Sequence, residues 1–227
     1  MSQGAGTSLE LFEKAGGEFL TPPALIAERL AVVRAVVFDW DGVFTDGSKN
    51  AVGHSRFSEV DAMGSNLLRF ALWRRQRQMP VIAIITGEDN PAAQALARRE
   101  HFDAVMTMAR NKAEAFGRFC QRFGLQPREV LFCFDDVLDL SVAEACGVRL
   151  MIAHRGGPLL RHHVRQHALA DYVTAQPGGS DGLREAAELV MGLLGSYDEV
   201  VRARMSFGPE YREYLDQRAA VTCLIQP

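Results

Sequence analysis

Four short apolar runs limit what this chain can fold into. Ala35–Phe38, Val81–Ile85, Val130–Phe134 and, apart from Arg149, Val148–Ala153 are continuous rather than alternating, and too short for helices. Runs of this kind read as strands buried on both faces. The stretches between them have helical spacing: Ala62–Arg77, Pro91–Glu100, Lys112–Phe123 (stopped by Gly124) and Leu140–Cys146. Strands alternating with helices predict an α/β protein, a doubly wound parallel sheet with helices on both faces. Such sheets bind ligands beyond the carboxyl ends of their strands, so the residues that follow each run carry the most information.

Three of the runs end in reactive side chains. Ala35–Phe38 leads into Asp39 and Asp41, followed by Gly42 and, further on, Asp46. Alternate residues on an extended segment share a face, so both carboxylates can point into one site. Neighbouring acids at a buried strand end repel, and burial raises the cost of their charge; a divalent cation relieves both. Val81–Ile85 ends in Thr86 and Gly87, Lys112 opens a helix, and Val130–Phe134 ends in Asp135, Asp136 and Asp139. Taken singly, each has an ordinary explanation. Asp-Gly is a common turn, Thr-Gly a common strand end, and a lysine starting a helix is usually solvated.

Taken together and in order, Asp39-x-Asp41-Gly42-Val43-x-Thr45-Asp46, Thr86-Gly87, Lys112 and Asp135-Asp136-x-x-Asp139 resemble the haloacid dehalogenase superfamily of phosphohydrolases. The resemblance implies a Rossmann-like sheet and a magnesium-dependent route. Asp39 would attack phosphorus and become an aspartyl phosphate, and Asp41 would act first as acid and then as base. The metal ligands would be the Asp39 carboxylate, the backbone carbonyl of Asp41 and Asp135. Thr86, with Gly87 beside it, would hold phosphate oxygens, and Lys112 would neutralise charge on phosphate and on Asp39. Asp139 and Asp136 would orient Lys112 or a metal-bound water.

Cap domains in that superfamily are inserted at one of two places, read here as the gaps from Asp39 to Thr86 and from Lys112 to Asp135. Here the first gap holds a polar stretch, Gly47–Val60, that reads as a β-hairpin, and one helix; the second holds one helix and a strand lead-in. The chain thus resembles the capless branch, which acts on phosphorylated sugar acids of the octulosonate 8-phosphate or nonulosonate 9-phosphate type. Phe57–Gly64, Asp171–Thr174, Gln176–Gly179 and Arg184-Glu185 belong to the same resemblance. It implies a homotetramer with packed hairpins, a neighbour covering the open site, and substrate contacts from Asp61, Gly87 and Arg184. Arg184 reads equally as a surface arginine.

The chain departs from the pattern at several positions. Phe134 stands where glycine is usual, which predicts a reshaped site or weaker metal binding. It favours, as the alternative function, a non-catalytic scaffold or regulatory protein. Val60 and Glu88 replace expected arginines and Ala62 an expected glycine, so basic groups are missing around an anionic substrate. The segment between Ala153 and Asp171 is longer and more basic than usual, with Arg155, Arg161 and Arg165.

The 227 residues are 48% hydrophobic with a net charge of −3, which suits one globular domain and gives no bulk attraction to nucleic acid or anionic membrane. No apolar run is long enough to span a bilayer, and the start lacks the basic and apolar segments of a signal peptide. Four scattered cysteines read as free thiols of a reducing compartment, so a cytoplasmic location is expected. His162, His163 and His167 lie among arginines on what reads as an exposed helix face, without zinc-site spacing. The expected divisions are an N-terminal extension (1–33), weakly patterned and mobile at its start and with a short helix at its end, a phosphatase domain (34–194) and a C-terminal helical extension (195–227). The last reads as solvated helices packed on one side, rather than a lid or an oligomer contact.

Overall fold

The computed structural model describes residues 3–51, 53, 55–154 and 156–227. Its centre is one sheet of eight strands: β1 Glu18–Phe19, β2 Ala35–Phe38, β3 Val81–Ile85, β4 Ala104–Met106, β5 Val130–Phe134, β6 Val148–Ala153, β7 Tyr172–Pro177 and β8 Leu224–Gln226. Their order is β1-β7-β6-β5-β2-β3-β4-β8. Every pairing is parallel except that of β1 with β7. β2 lies between β3 and β5, with Ala35 opposite both Val81 and Val130. The chain order reverses there, and that is where an open α/β sheet forms its ligand crevice.

The helices are α1 Gln3–Lys14, α2 Pro23–Leu30, α3 Glu59–Gln76, α4 Pro91–Arg99, α5 Lys112–Phe123, α6 Leu140–Ala145, α7 Pro158–Gln166, α8 Gly182–Leu193, α9 Tyr197–Ser206 and α10 Pro209–Ala219. Two core layers explain the continuous apolar runs. On β2, Val36 and Phe38 enter the layer that contains Leu30, Leu68, Leu96 and Leu183, from α2, α3, α4 and α8. Ala35 and Val37 enter the opposite layer, with Phe116, Phe119, Val142 and Val164 of α5, α6 and α7. A strand covered on both sides has no reason to alternate.

Local chemistry fixes the helix ends. The Ser58 hydroxyl accepts hydrogen bonds from the backbone N–H of Val60 and Asp61, starting α3. The Asn111 side chain accepts from Glu114 N–H at the start of α5, and Gly124, at φ 62°, ends that helix in the left-handed region. α3 and α8 approach closely at Gly64, where a Cβ would stand 2.9 Å from Cα of Arg184.

Three features differ from the sequence expectations. The N-terminal stretch forms α1, because Leu9 and Phe12 pack on the α8 side of the core; with few apolar residues, its own pattern could not announce a helix. Gly47–Val60 is not a hairpin among the described residues. It runs irregularly to Ser58, while Glu59 and Val60 begin α3; Val52 and His54 lie outside the described residues. A two-stranded ribbon without a sheet beside it is marginal in water. Here Ser55 and Phe57 instead fasten the segment to Trp40, through a 3.0 Å hydrogen bond from the indole and an edge-on ring contact. β1 and β8 extend the two sheet edges. The C-terminal extension, by contrast, agrees with the expectation of helices packed on one side: α9 and α10 build a third apolar cluster against α3, from Phe70, Trp73, Met191, Val200, Tyr211 and Tyr214.

No helix among the described residues is long and apolar enough to cross a membrane. The four cysteines are free thiols, three of them buried.

Candidate active site

The strand ends bring most of the predicted residues together. Asp39 follows β2, Thr86 follows β3, Asp135 follows β5, and Lys112 arrives from the first turn of α5. One cleft is lined by Asp39, Asp41, Thr86, Gly87, Lys112 and the acid cluster, together with Asp46, Lys49, Glu88 and His154. The strands are in register, and Asp39 N–H donates to the Cys133 carbonyl at 2.9 Å, so the first and last motifs meet across one ladder step.

Lys112 is the hub. Its Nζ lies 2.6 Å from Oδ1 of Asp39 and 2.6 Å from Oδ1 of Asp139. All three side chains are buried. Carboxylate oxygens of Asp39, Asp135 and Asp139 lie within 4.8 Å of one another. Three buried acids beside one lysine leave an excess of negative charge that must take up protons or a cation. Burial pushes the Asp39 carboxyl up to about 7 against the pull of Lys112, with Asp135 adding to the rise. Burial and the Asp39 charge push Asp139 to about 7 as well. Burial also holds Asp135 above the usual carboxylate range. Burial opposes the charge on Lys112, yet the two aspartates carry it above its ordinary value.

Among the described residues of the cleft, two buried oxygens have no hydrogen-bond partner: Oδ1 of Asp41 and Oδ1 of Asp135. Buried acceptors of this kind ask for a donor or a cation. An all-oxygen donor set with surplus negative charge fits a hard divalent cation such as Mg²⁺. Gly42 makes the close approach possible. It has φ 88°, and a Cβ on it would stand 2.0 Å from Oδ2 of Asp135. Gly178 and Gly179 pack on the same turn, where a Cβ on Gly178 would meet the Gly42 carbonyl at 1.9 Å. The loop after β7 therefore braces the motif after β2.

Asp41 projects to the other side of the cleft. Its Oδ2 accepts from Nδ2 of Asn90 at 3.2 Å and pairs with Nζ of Lys49 at 3.1 Å. Asn90 also donates to Thr86 Oγ1 at 2.6 Å, tying the two motifs together. Lys49 reaches Glu88 at 2.5 Å. Asp136 caps the 3₁₀ turn Val137–Asp139 by accepting from Val137 N–H, and Asp136 N–H donates to Asp139 at 3.3 Å.

Two predicted residues lie elsewhere. Asp61, expected at the substrate, is buried outside the cleft and accepts from Arg184 N–H at 2.9 Å, at the start of α8. Arg184 is away from the cleft of its own chain, with Nε 2.6 Å from Glu188. The concern over Phe134 is also answered by position. Its ring is buried in a core layer and stacked on Phe132 at 5.6 Å. It does not line the cleft, and its φ is not positive. The ring adds no bulk at the acids, and the strand does not need glycine there.

Lys49, Asn90 and His154 were not legible as site residues. His154 follows β6 directly, and its Nε2 is hydrogen-bonded to Oδ2 of Asp135, which raises the imidazole above its ordinary value. Its position after an apolar run is the same signal that marks Asp39. Asn90 precedes Pro91 at the start of α4, where a capping residue is the routine reading.

No family model matches the chain. The curated 3-deoxy-D-manno-octulosonate 8-phosphate phosphatase of Escherichia coli strain K12 is 28% identical over 171 residues, covering 74% of this chain and 84% of that protein. A solved structure of a hypothetical protein from Xanthomonas campestris is 28% identical, with TM-score 0.64 over 80% of this chain and 93% of the other. A 3-deoxy-D-manno-octulosonate 8-phosphate phosphatase from Moraxella catarrhalis, solved with magnesium, phosphate and the sugar acid, has TM-score 0.64 at 21% identity. It covers 78% of this chain and 97% of that one.

Proposed function

We infer that this chain, which in sequence and fold resembles the capless branch of the haloacid dehalogenase superfamily, is a phosphatase that hydrolyses the phosphomonoester of a sugar acid. The observation that carries the reading is the Asp39–Lys112–Asp139 cluster at the end of the central strand, with Asp41 one alternate position on. Lys112 pulls the buried Asp39 carboxyl toward its charged, nucleophilic form against the effect of burial, and Asp41 stands on the opposite side as the proton-transfer group.

Asp39 would attack phosphorus in line and form an aspartyl phosphate, while Asp41 gives its proton to the departing oxygen. Asp41 then takes a proton from the water that attacks phosphorus, and Asp39 is released with inorganic phosphate. The Thr86 hydroxyl and the Gly87 N–H would hold phosphoryl oxygens, and Lys112 would offset their growing charge. Asn90 fixes Asp41 relative to Thr86. Mg²⁺ would be held by Asp39, Asp135 and the Asp41 carbonyl, and would supply neutralising charge to the phosphoryl oxygens. The unpartnered Oδ1 of Asp135 supports that assignment. Asp139 would orient Lys112.

A homotetramer belongs to the same reading. Val60 and Met63 are exposed apolar side chains at the start of α3, beside the Gly47–Ser58 segment, and would suit a subunit contact. Arg184 would then face a neighbour. The free thiols support a reducing, cytoplasmic setting.

The test is to quench turnover of a sugar-acid phosphate and reduce the protein with borohydride, which converts an aspartyl phosphate to homoserine. Conversion at Asp39 is the expected result. Phosphate release with an unmodified Asp39 would mean that water attacks directly.

A further inference from the structure

The catalytic cleft does not end at the acids. His154 lines it and also lines two further cavities. One, of about 340 Å³, has an apolar floor from Met151, Ala153, Leu160 and Val173, with Arg161 at its side and Asp136 shared with the catalytic cleft. The other, of about 380 Å³, is polar, with Ser180 on its wall and Asp46 shared with the cleft. Gly156 lines both. All three spaces therefore join around His154, which opens the stretch between Ala153 and Asp171.

Arg161 is poised rather than committed. Its Nε is buried without a partner, and its one ion pair, Nη2 to Glu18, is 3.3 Å long. Glu18 is already held by Arg165 at 2.5 Å. The surplus positive charge sits beside the cavity.

We propose that the joined cavities hold the leaving group of the phosphate ester, which is an extended molecule with a carboxylate that pairs with Arg161. The proposal rests on the phosphatase reading. It places substrate selection in His154, Gly156 and Arg161 of the chain itself, without a cap domain. The phosphoryl group would sit at Asp39, with the departing oxygen within reach of Asp41 in the same cleft. Continuity through Asp46, Asp136 and His154 gives the rest of the molecule a covered path.

Gly156 allows a test with little risk to folding, because a Cβ there meets nothing within 4 Å and its φ is not in the left-handed region. Glucose 6-phosphate and 6-phosphogluconate form a matched pair, differing mainly in ring closure and in a terminal carboxylate. The wild type is expected to favour 6-phosphogluconate by about tenfold or more in kcat/KM, in line with one charge-assisted hydrogen bond. Arg161→Gln should reduce the preference below about threefold, chiefly through KM. Gly156→Trp should weaken turnover of 6-phosphogluconate about tenfold or more, while inhibition by inorganic phosphate stays within about twofold, since phosphate needs only the cleft.

Titrating Asp39→Asn with 6-phosphogluconate, with and without Gly156→Trp, measures binding apart from turnover. If no variant releases phosphate, but Gly156→Trp removes this binding, the phosphatase reading fails and the cavity stands. If turnover and binding are indifferent to Gly156→Trp, or the wild type shows no preference for the carboxylate, the proposal is overturned.

Discussion

Gly42 and Asp135 are so close that a single methyl group on Gly42 would stand 2.0 Å from the Asp135 carboxylate. The glycine after the paired aspartates thus does two things. It takes φ 88°, and it leaves room for an acid from another strand. Gly42→Ala should keep the fold, at a cost of about 1–2 kcal/mol for the left-handed backbone, yet displace Asp135. Circular dichroism should be unchanged. The rise in melting temperature with added Mg²⁺ that is expected of the wild type should disappear.

Lys112 compensates two buried acids. Lys112→Met should lower kcat by about 10²–10³, the range for loss of one stabilising charge in a site of this type. Its effect on stability should depend on pH. Asp39 and Asp139 are both pushed to about 7, so below that value they hold protons and need the lysine less. The destabilisation, read by urea unfolding, should approach about 3–5 kcal/mol at pH 8 and be smaller at pH 6.

The same two acids link metal binding to pH. Their folded values lie above the unfolded ones, so the metal-free protein holds protons that the unfolded chain has lost. Its stability should therefore be greatest near pH 4 as far as these groups decide it, and should fall as pH rises toward 7. A cation competes with those protons, so stabilisation by Mg²⁺ should grow between pH 6 and 8. Melting temperatures with Mg²⁺ and with chelator across that range check both slopes.

Much of the site was legible because its chemistry sits where the backbone pattern changes. Asp39, Thr86 and Asp135 each follow an apolar run, and a parallel sheet must bring such residues to one edge. Lys112 was legible only by its place in the ordered motifs, since a lysine at a helix start is usually solvated. Asp61 shows the limit of position along the chain. The resemblance implied a substrate contact there, while the structure uses it at the start of α8. Lys49 and Asn90 carry no periodic signal, and only three-dimensional folding brings them to Asp41. The outer strands β1 and β8 are two and three residues long, too short to register as periodic segments.

Asp171 should matter for stability and not for chemistry. It is fully buried and accepts from the Thr21 hydroxyl, Arg29, and both the backbone and side chain of Arg149. Asp171→Ala leaves those donors unpaired, and urea unfolding should show a loss of about 3–5 kcal/mol. Turnover per folded molecule should be unchanged.

The C-terminal helices complete a core. Tyr214 is buried against Phe70 and Trp73, with ring centroids 5.0 and 5.7 Å away. Tyr214→Ala should cost about 3–5 kcal/mol in chemical denaturation. Removing residues 195–227 should expose Phe70 and Trp73 and give an aggregating protein, seen by light scattering.

The most direct measurement is phosphate release from a panel of sugar-acid phosphates, with Mg²⁺ and with chelator, by the wild type and by Asp39→Asn. Release that requires the metal and disappears in the variant is the predicted result. Equal release by both proteins, or none from any ester including an aryl phosphate, would contradict the assignment of Asp39 as the nucleophile of a phosphatase.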